Sequence, residues 1–435
     1  MFRIGGFMTH VGNNHAVSAR RNRRLAFELI WREGPISRTD LVARTGLRAQ
    51  TISNIVRELQ DRGLILESGR SEGGRGAPQT YLKINPGAGS SVGLHLDRDR
   101  LSCVVYDLAG QPLAFREDVI EWTDPAAAVA TMAAAVKLTA EQCEAADLWG
   151  VGVAMPTLQD AEFDEYVGSP GWQAWSGFPI ADRLQALTGL PAVVENDATA
   201  AGLGELITGA GRGLSNFVYV FVGNGLGAGI IADGLPFQGA WNNAGEIGLL
   251  SWPENLDEHP SGKTPFSLDE LADMLECSVT ALADPAYLAV LYEKRNASLM
   301  RWLELNGRRL RLLASIIENL LDPQTIIVGG LLPSSVCSSL VDRAYPLQAS
   351  PAARRDRKMP RLQVGSLDRK AAAVGAAMLP FIVNGSPEFR RLSLGRGRGQ
   401  PIDAESLFDH VTGSGGTKPQ DEAPSGRPAY APAAP

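Results

Sequence analysis

Arg48, Gln50, Thr51, Asn54 and Arg57 fall at a spacing that puts them on one side of a helix. Arg, Asn and Gln are the side chains that form bidentate hydrogen bonds with base edges in the major groove. Arg38 opens a short helix just before them. Arg70 and Arg75 lie in a glycine-rich loop, GRSEGGRGAPQ, suited to phosphate or minor-groove contact. The charge is distributed to match. Residues 1–85 carry 14 Lys and Arg against 7 Asp and Glu, and because the whole chain is at −7, residues 86–435 are left with −14. A basic head on an acidic body is what a polyanion-binding module requires.

The elements that would position these side chains are legible nearby. NRRLAFELIWR (22–32) has a helical period, with Leu25, Leu29 and Ile30 on one stripe. Gly34-Pro35 breaks it, and Ser37-x-x-Asp40 forms a capping box in which Asp replaces the usual Glu. The short helix that follows buries Leu41 and Val42 and stops at Gly46. Leu47 begins a turn into a third helix over about 49–62, with Ile52, Ile55, Val56 and Leu59 facing inward. Short helix, glycine turn and longer helix make a helix-turn-helix, and the strands LILES and TYLKIN add a wing. We expect a winged helix-turn-helix over 18–86 that binds operator DNA; a winged helix that binds protein is the alternative.

From residue 90 to 385 the texture is α/β. Strands and helices run β-β-β-α-β-α and then repeat that order, which implies a duplicated architecture with a cleft between two lobes. Residues 390–435, rich in Gly, Pro, Ser and charge, read as a disordered tail. No apolar run is long enough to span a membrane, and the N-terminus lacks a secretion signal. Four scattered cysteines form no CxxC pair, so a cytoplasmic chain with neither disulfides nor metal is expected.

Three body segments are specific: SPGWQAWSGFPIADRLQALTGLPAVVENDATAAGLGE (169–205), FVYVFVGNGLGAGIIADGLPFQGAWNNAGEIG (217–248) and TIIVGGLL (325–332). With GPISRTDLVARTGLRAQTISNIVRELQDRGLI and the wing GGRGAP, they resemble the ROK family of repressors and sugar kinases over roughly residues 20–380. The resemblance implies a winged helix-turn-helix joined to a two-lobed actin-like, ribonuclease-H-like sugar-kinase fold. It also implies a sugar grip at Asn196, Asp197 and Glu246, with Asp269 as a further ligand residue. A helix N-cap role for Asn196 or Asp197 is equally compatible. In kinase members that Asp is the base for the sugar hydroxyl.

The family's phosphate machinery is altered. The first phosphate turn reads His95-Leu96-Asp97-Arg98-Asp99 where kinases keep bare glycines, and its carboxylates would oppose phosphate by about 4 kcal/mol at 4 Å. The second turn keeps Gly223, Gly225 and Gly227 as a vestige. The family zinc is not expected, because Leu249 stands where the metal-binding His would be and no cysteine cluster follows. The expectation is therefore a homodimeric or homotetrameric regulator, without catalytic residues or cofactor, that binds operator DNA and a small-molecule effector, a sugar or sugar derivative. The competing readings are an active ATP-dependent sugar kinase with a regulatory head, and a ligand-independent DNA-binding protein whose body only oligomerises.

Overall fold

A computed structural model describes residues 15–70, 79–143, 145, 147–156, 171–253 and 263–385. Arg75 at the wing tip and the tail expected from residue 390 lie outside the described residues, as does the side chain of Arg70.

The head comprises α1 (His15–Glu33), β1 (Ile36–Ser37), α2 (Arg38–Thr45), α3 (Ala49–Asp61), β2 (Ile65–Arg70) and β3 (Thr80–Ile84). The capping box forms as the sequence requires. Ser37 Oγ accepts from the Asp40 amide at 3.1 Å, and the Ser37 amide donates back to Asp40 Oδ2 at 3.2 Å. These bonds to Ser37 hold the Asp40 carboxyl below its usual range. Gly46, at φ +68°, closes α2 in the left-handed region that a side chain would disfavour. Ile52, Ile55, Val56 and Leu59 face inward from α3 onto Leu41, Ile36 and Leu82, and the three strands pair in the order β1-β3-β2.

The first helix departs from expectation. Its buried stripe is Ala26, Phe27 and Ile30, while Leu25 and Leu29 are only half-buried. The reason is a second surface to cover, because α1 also seats on the body.

The first lobe holds β4 (Ser90–Asp97), β5 (Arg100–Asp107), β6 (Pro112–Val119), α4 (Pro125–Gln142), β7 (Leu148–Met155), α5 (Ile180–Thr188) and β8 (Ala192–Asn196), in the sheet order β6-β5-β4-β7-β8. After α6 (Asp197–Thr208), the second lobe holds β9 (Phe217–Val222), β10 (Leu226–Ala232), β11 (Leu235–Pro236), α7 (Leu268–Met274), α8 (Val279–Leu282), α9 (Pro285–Glu293), α10 (Ala297–Leu321), β12 (Thr325–Gly330), α11 (Ser334–Ala344) and β13 (Leu362–Val364). Its order, β11-β10-β9-β12-β13, repeats that of the first lobe: three antiparallel strands, then two parallel additions. Strands β4 and β9 are buried along nearly their whole length, which explains their unbroken apolar sequences.

The last helix, α12 (Ala371–Gly385), is buried throughout and packs on β4, β7 and α6. Small residues permit that approach. A Cβ on Gly152 would sit 1.9 Å from the Ala376 carbonyl oxygen.

Helix α1 meets both lobes. Trp31 Nε1 donates to the Leu108 carbonyl at 2.8 Å, on the turn after β5, and Arg32 Nη1 donates to the Gly234 carbonyl at 2.9 Å, on the turn between β10 and β11. Phe27 stacks on Trp149 with ring centroids 6.5 Å apart, and Trp31 meets Phe381 of α12 edge-on at 6.3 Å.

Within the second lobe, Glu270 and Arg309 are both fully buried and bonded at 2.6 Å; Trp302 Nε1, Asn306 Nδ2 and the Phe266 amide also donate to the carboxylate. Removing one member of such a pair strands a buried charge. Arg309→Met should therefore cost about 3–5 kcal/mol of unfolding free energy in denaturant titration. A loss below about 1 kcal/mol would mean that the pair is not needed to hold α7 against α10.

Candidate DNA-reading face and interlobe cleft

The head's cations divide into two groups. Arg38 reaches Glu67 at 3.6 Å and Gln60 at 3.4 Å, Arg44 pairs with Glu33 at 2.8 Å, and Arg62 pairs with Glu58 at 2.9 Å. Arg48 and Arg57 are exposed, and no hydrogen bond or ion pair engages either guanidinium among the described residues. Gln50 and Asn54 are exposed between them, with Gln50 Nε2 donating to Asn54 Oδ1 at 3.1 Å. That bond fixes the two amides side by side and leaves Gln50 Oε1 as an acceptor and Asn54 Nδ2 as a donor. Thr51 is half-buried beside them, and Ser53 Oγ turns back to the Ala49 carbonyl at 2.9 Å. The open donors therefore lie on the outer face of α3, whereas Arg38 is held on the wing side by its partners.

In the body, β8 ends at Asn196 and α6 starts at Asp197, so two sequence-predicted ligand residues occupy a helix N-terminus. Asn196 Oδ1 accepts from the Ala198 and Thr199 amides at 3.0 and 3.2 Å, and Asp197 Oδ1 accepts from the Ala198 amide at 2.7 Å. The capping role is real, and it leaves the Asn196 amide nitrogen and Asp197 Oδ2 to face outward. Burial, reinforced by Asp97 and then Glu246, pushes the Asp197 carboxyl up to about 7. Burial also raises Glu246. Asp97, Asp197 and Glu246 thus lie within electrostatic reach of one another. Glu195, missed by the sequence reading, is buried next door, accepts from Gln238 Nε2 at 3.0 Å, and is pushed up to about 7 by burial.

Asp269 is placed differently. Its carboxylate takes a two-pronged bond from Arg98, Nη1–Oδ1 at 2.9 Å and Nη2–Oδ2 at 2.5 Å. With both oxygens bound, it is a tie between the lobes, and the expectation that it belongs to the ligand grip is corrected. Arg98 sits in the two-residue turn between β4 and β5 at φ +51°. A second tie lies beside it: Asn224 Nδ2 donates to both oxygens of Asp97 at 2.9 and 3.0 Å. Asn224 belongs to the Gly223–Gly227 turn, so the two turns that would flank a nucleotide's phosphates are bonded to each other. Their partners lie in different lobes, and nothing local in the sequence could have paired them.

A winged helix-turn-helix on a duplicated, two-lobed α/β body with a cleft between its phosphate turns defines a DNA-reading head on a sugar-kinase fold. Residues 91–265 match the ROK family and residues 24–75 the MarR family, so the chain is a ROK-family protein with a MarR-type winged helix. The uncharacterized protein y4fQ of Sinorhizobium fredii is 28% identical over 365 residues, 83% of this chain and 90% of that protein. The xylose repressor of Bacillus subtilis is 27% identical over 232 residues, 53% of this chain and 60% of the repressor. Among solved structures, a ROK-family transcriptional regulator described as a homologue of the E. coli MLC protein superposes with a TM-score of 0.60 at 24% identity, covering 84% of this chain and 96% of that one. That likeness carries the fold. No described helix is long and apolar enough to cross a membrane.

Proposed function

We propose that this protein is a DNA-binding transcription regulator, a repressor of carbohydrate-related genes, whose body senses a sugar or sugar derivative without phosphorylating it. The observation that carries this reading is the head itself: on α3 alone, unpaired Arg48 and Arg57 flank a fixed Gln50–Asn54 amide pair. The xylose repressor among its relatives supports the same reading. Two copies, as a homodimer or within a homotetramer, would present two such helices to the half-sites of a palindrome. The cytoplasm is where such a protein works.

Selection of genomic fragments by the full chain should enrich a palindromic site. Asn54→Ala and Arg48→Ala should each weaken that site by about 1–3 kcal/mol, roughly 5- to 150-fold, while melting at the parent's temperature. Undiminished binding by both variants would remove the head from the account.

The absence of phosphoryl transfer is supported by the Asp97–Asn224 bond, which fills the gap between the phosphate turns. The observation favouring a kinase is Asp197, whose carboxyl at about 7 suits a general base. An ADP-release assay over a sugar panel separates the two; turnover lost in Asp197→Asn would establish the kinase. The family zinc does not fit the residues present. Leu249, at the position of the metal-binding histidine, is 59% exposed, and no described group of three His, Cys, Asp or Glu side chains could hold a metal.

The route from ligand to head that we propose is α1. Because Trp31 is bonded to one lobe and Arg32 to the other, a change in lobe spacing must load or release the helix that carries the reading face.

A further inference from the structure

Away from the Asp197 cluster, beyond the two ties, the cleft contains a cavity of about 250 Å³. Arg98, Arg100 and Arg369 line it together with Trp122, Asn224 and Thr280; Val279, Ala283 and Leu331 supply an apolar wall. Its charges are not equally committed. Arg98 is neutralised by Asp269. The Asp97 carboxylate is occupied by Asn224, and burial raises its pKa towards the neutral form. Asp99 remains on the wall as a counter-charge.

Arg100 and Arg369 are poorly compensated. The nearest carboxylate oxygen to Arg100, on Glu117, stands 4.0 Å away. Arg369 spends Nη2 on the Ala283 carbonyl at 3.0 Å, and its Nε is buried with no hydrogen-bond partner among the described residues. Burial, with Arg100 adding to it, lowers the pKa of the Arg369 guanidinium. A buried donor with nothing to donate to and a cation beside another cation are both relieved by one event, the entry of an anion.

We propose that this cavity is a second ligand site, which takes a small organic oxyanion, a phosphate monoester or a carboxylate, on Arg100 and Arg369 with its carbon skeleton against Trp122. The volume falls below the roughly 300–1,000 Å³ of drug-sized pockets, so the ligand is small. A nucleotide triphosphate is not the candidate, because the Asp97–Asn224 bond occupies the space between the turns. None of the proposed contacts involves Asn196, Asp197 or Glu246, so the site stands apart from the sugar reading.

Calorimetric titration of the full chain with glycerol 3-phosphate and, separately, citrate tests it, with chloride holding ionic strength constant. Saturable binding of at least one probe is expected, and the better probe tells phosphate from carboxylate chemistry. Arg369→Gln and the more exposed Arg100→Gln should each weaken binding at least tenfold, about 1.4 kcal/mol, whereas Asp197→Asn should leave it unchanged. Thermal melts of the unliganded variants check that each is folded. No saturable heat from either probe, or binding that survives both arginine substitutions, would overturn the assignment; failure of a sugar response would not touch it.

Discussion

Asp197→Asn is expected to make the protein more stable than the parent at pH 8 and blind to its effector. In the folded chain the Asp197 carboxyl is held up at about 7 against an ordinary 3.8. The folded state therefore keeps its proton where the unfolded state has lost it. The stability from this group is complete below about pH 4 and drains away as pH rises through about 7. Glu195, also near 7, has the same sign. His95, driven down to about 4 by burial, has the opposite one: its contribution is present above about pH 6.5 and is lost as pH falls through about 4. Asparagine deletes only the Asp197 part. Melting curves for parent and variant should nearly coincide at pH 4 and separate by several degrees at pH 8, at roughly 2–4 °C per kcal/mol for a chain of this size. A gap that does not widen with pH would mean that Asp197 is already ionised in the free protein. The stability gain comes with a functional loss, because an amide cannot accept from a sugar hydroxyl with the strength of a carboxylate.

The double substitution Trp31→Ala, Arg32→Ala should leave operator binding intact and abolish its response to ligand. Each side chain removed is the head's hydrogen bond to one lobe. Allosteric coupling in such proteins is typically worth 1–3 kcal/mol, a 5- to 150-fold change in affinity. In the variant that ratio should fall to near one for whichever sugar releases the parent. Amide exchange should also rise along α1 and along the face of α12 around Phe381, where the edge-on ring contact is lost. A variant that still answers its sugar as the parent does would place the coupling elsewhere.

Much of the head was legible because its signals are local. The Ser37–Asp40 box, the Gly46 stop and the four inward residues of α3 all lie within a few residues of what they determine. The two rounds of strands and helices were legible for the same reason, though the second lobe inserts α7 to α10 and shortens β11 to two residues. What escaped the sequence were pairings across the fold. Phe27 and Trp31 looked like ordinary members of a helical stripe, and only Trp149 and Phe381 give them a second surface. Arg38 looked like a phosphate contact, yet Glu67 and Gln60 hold it. Asp269 was assigned to the sugar because its segment aligns loosely with a ligand glutamate; the nearer cation, Arg98, claims it. In each case a residue's type was readable and its partner was not.

The position of α12 has a consequence for synthesis. The head's elements all lie before residue 85, but the surface that receives α1 is incomplete until Phe381 and the rest of α12 emerge. Domains form in order as the chain leaves the ribosome. For most of its translation this protein would therefore be a finished DNA-reading module with nothing yet attached to govern it, its Phe27 and Trp31 uncovered. A chain stopped short of residue 371 would keep that module and lose its control, and a truncated allele should then act dominantly at the operator instead of simply losing function.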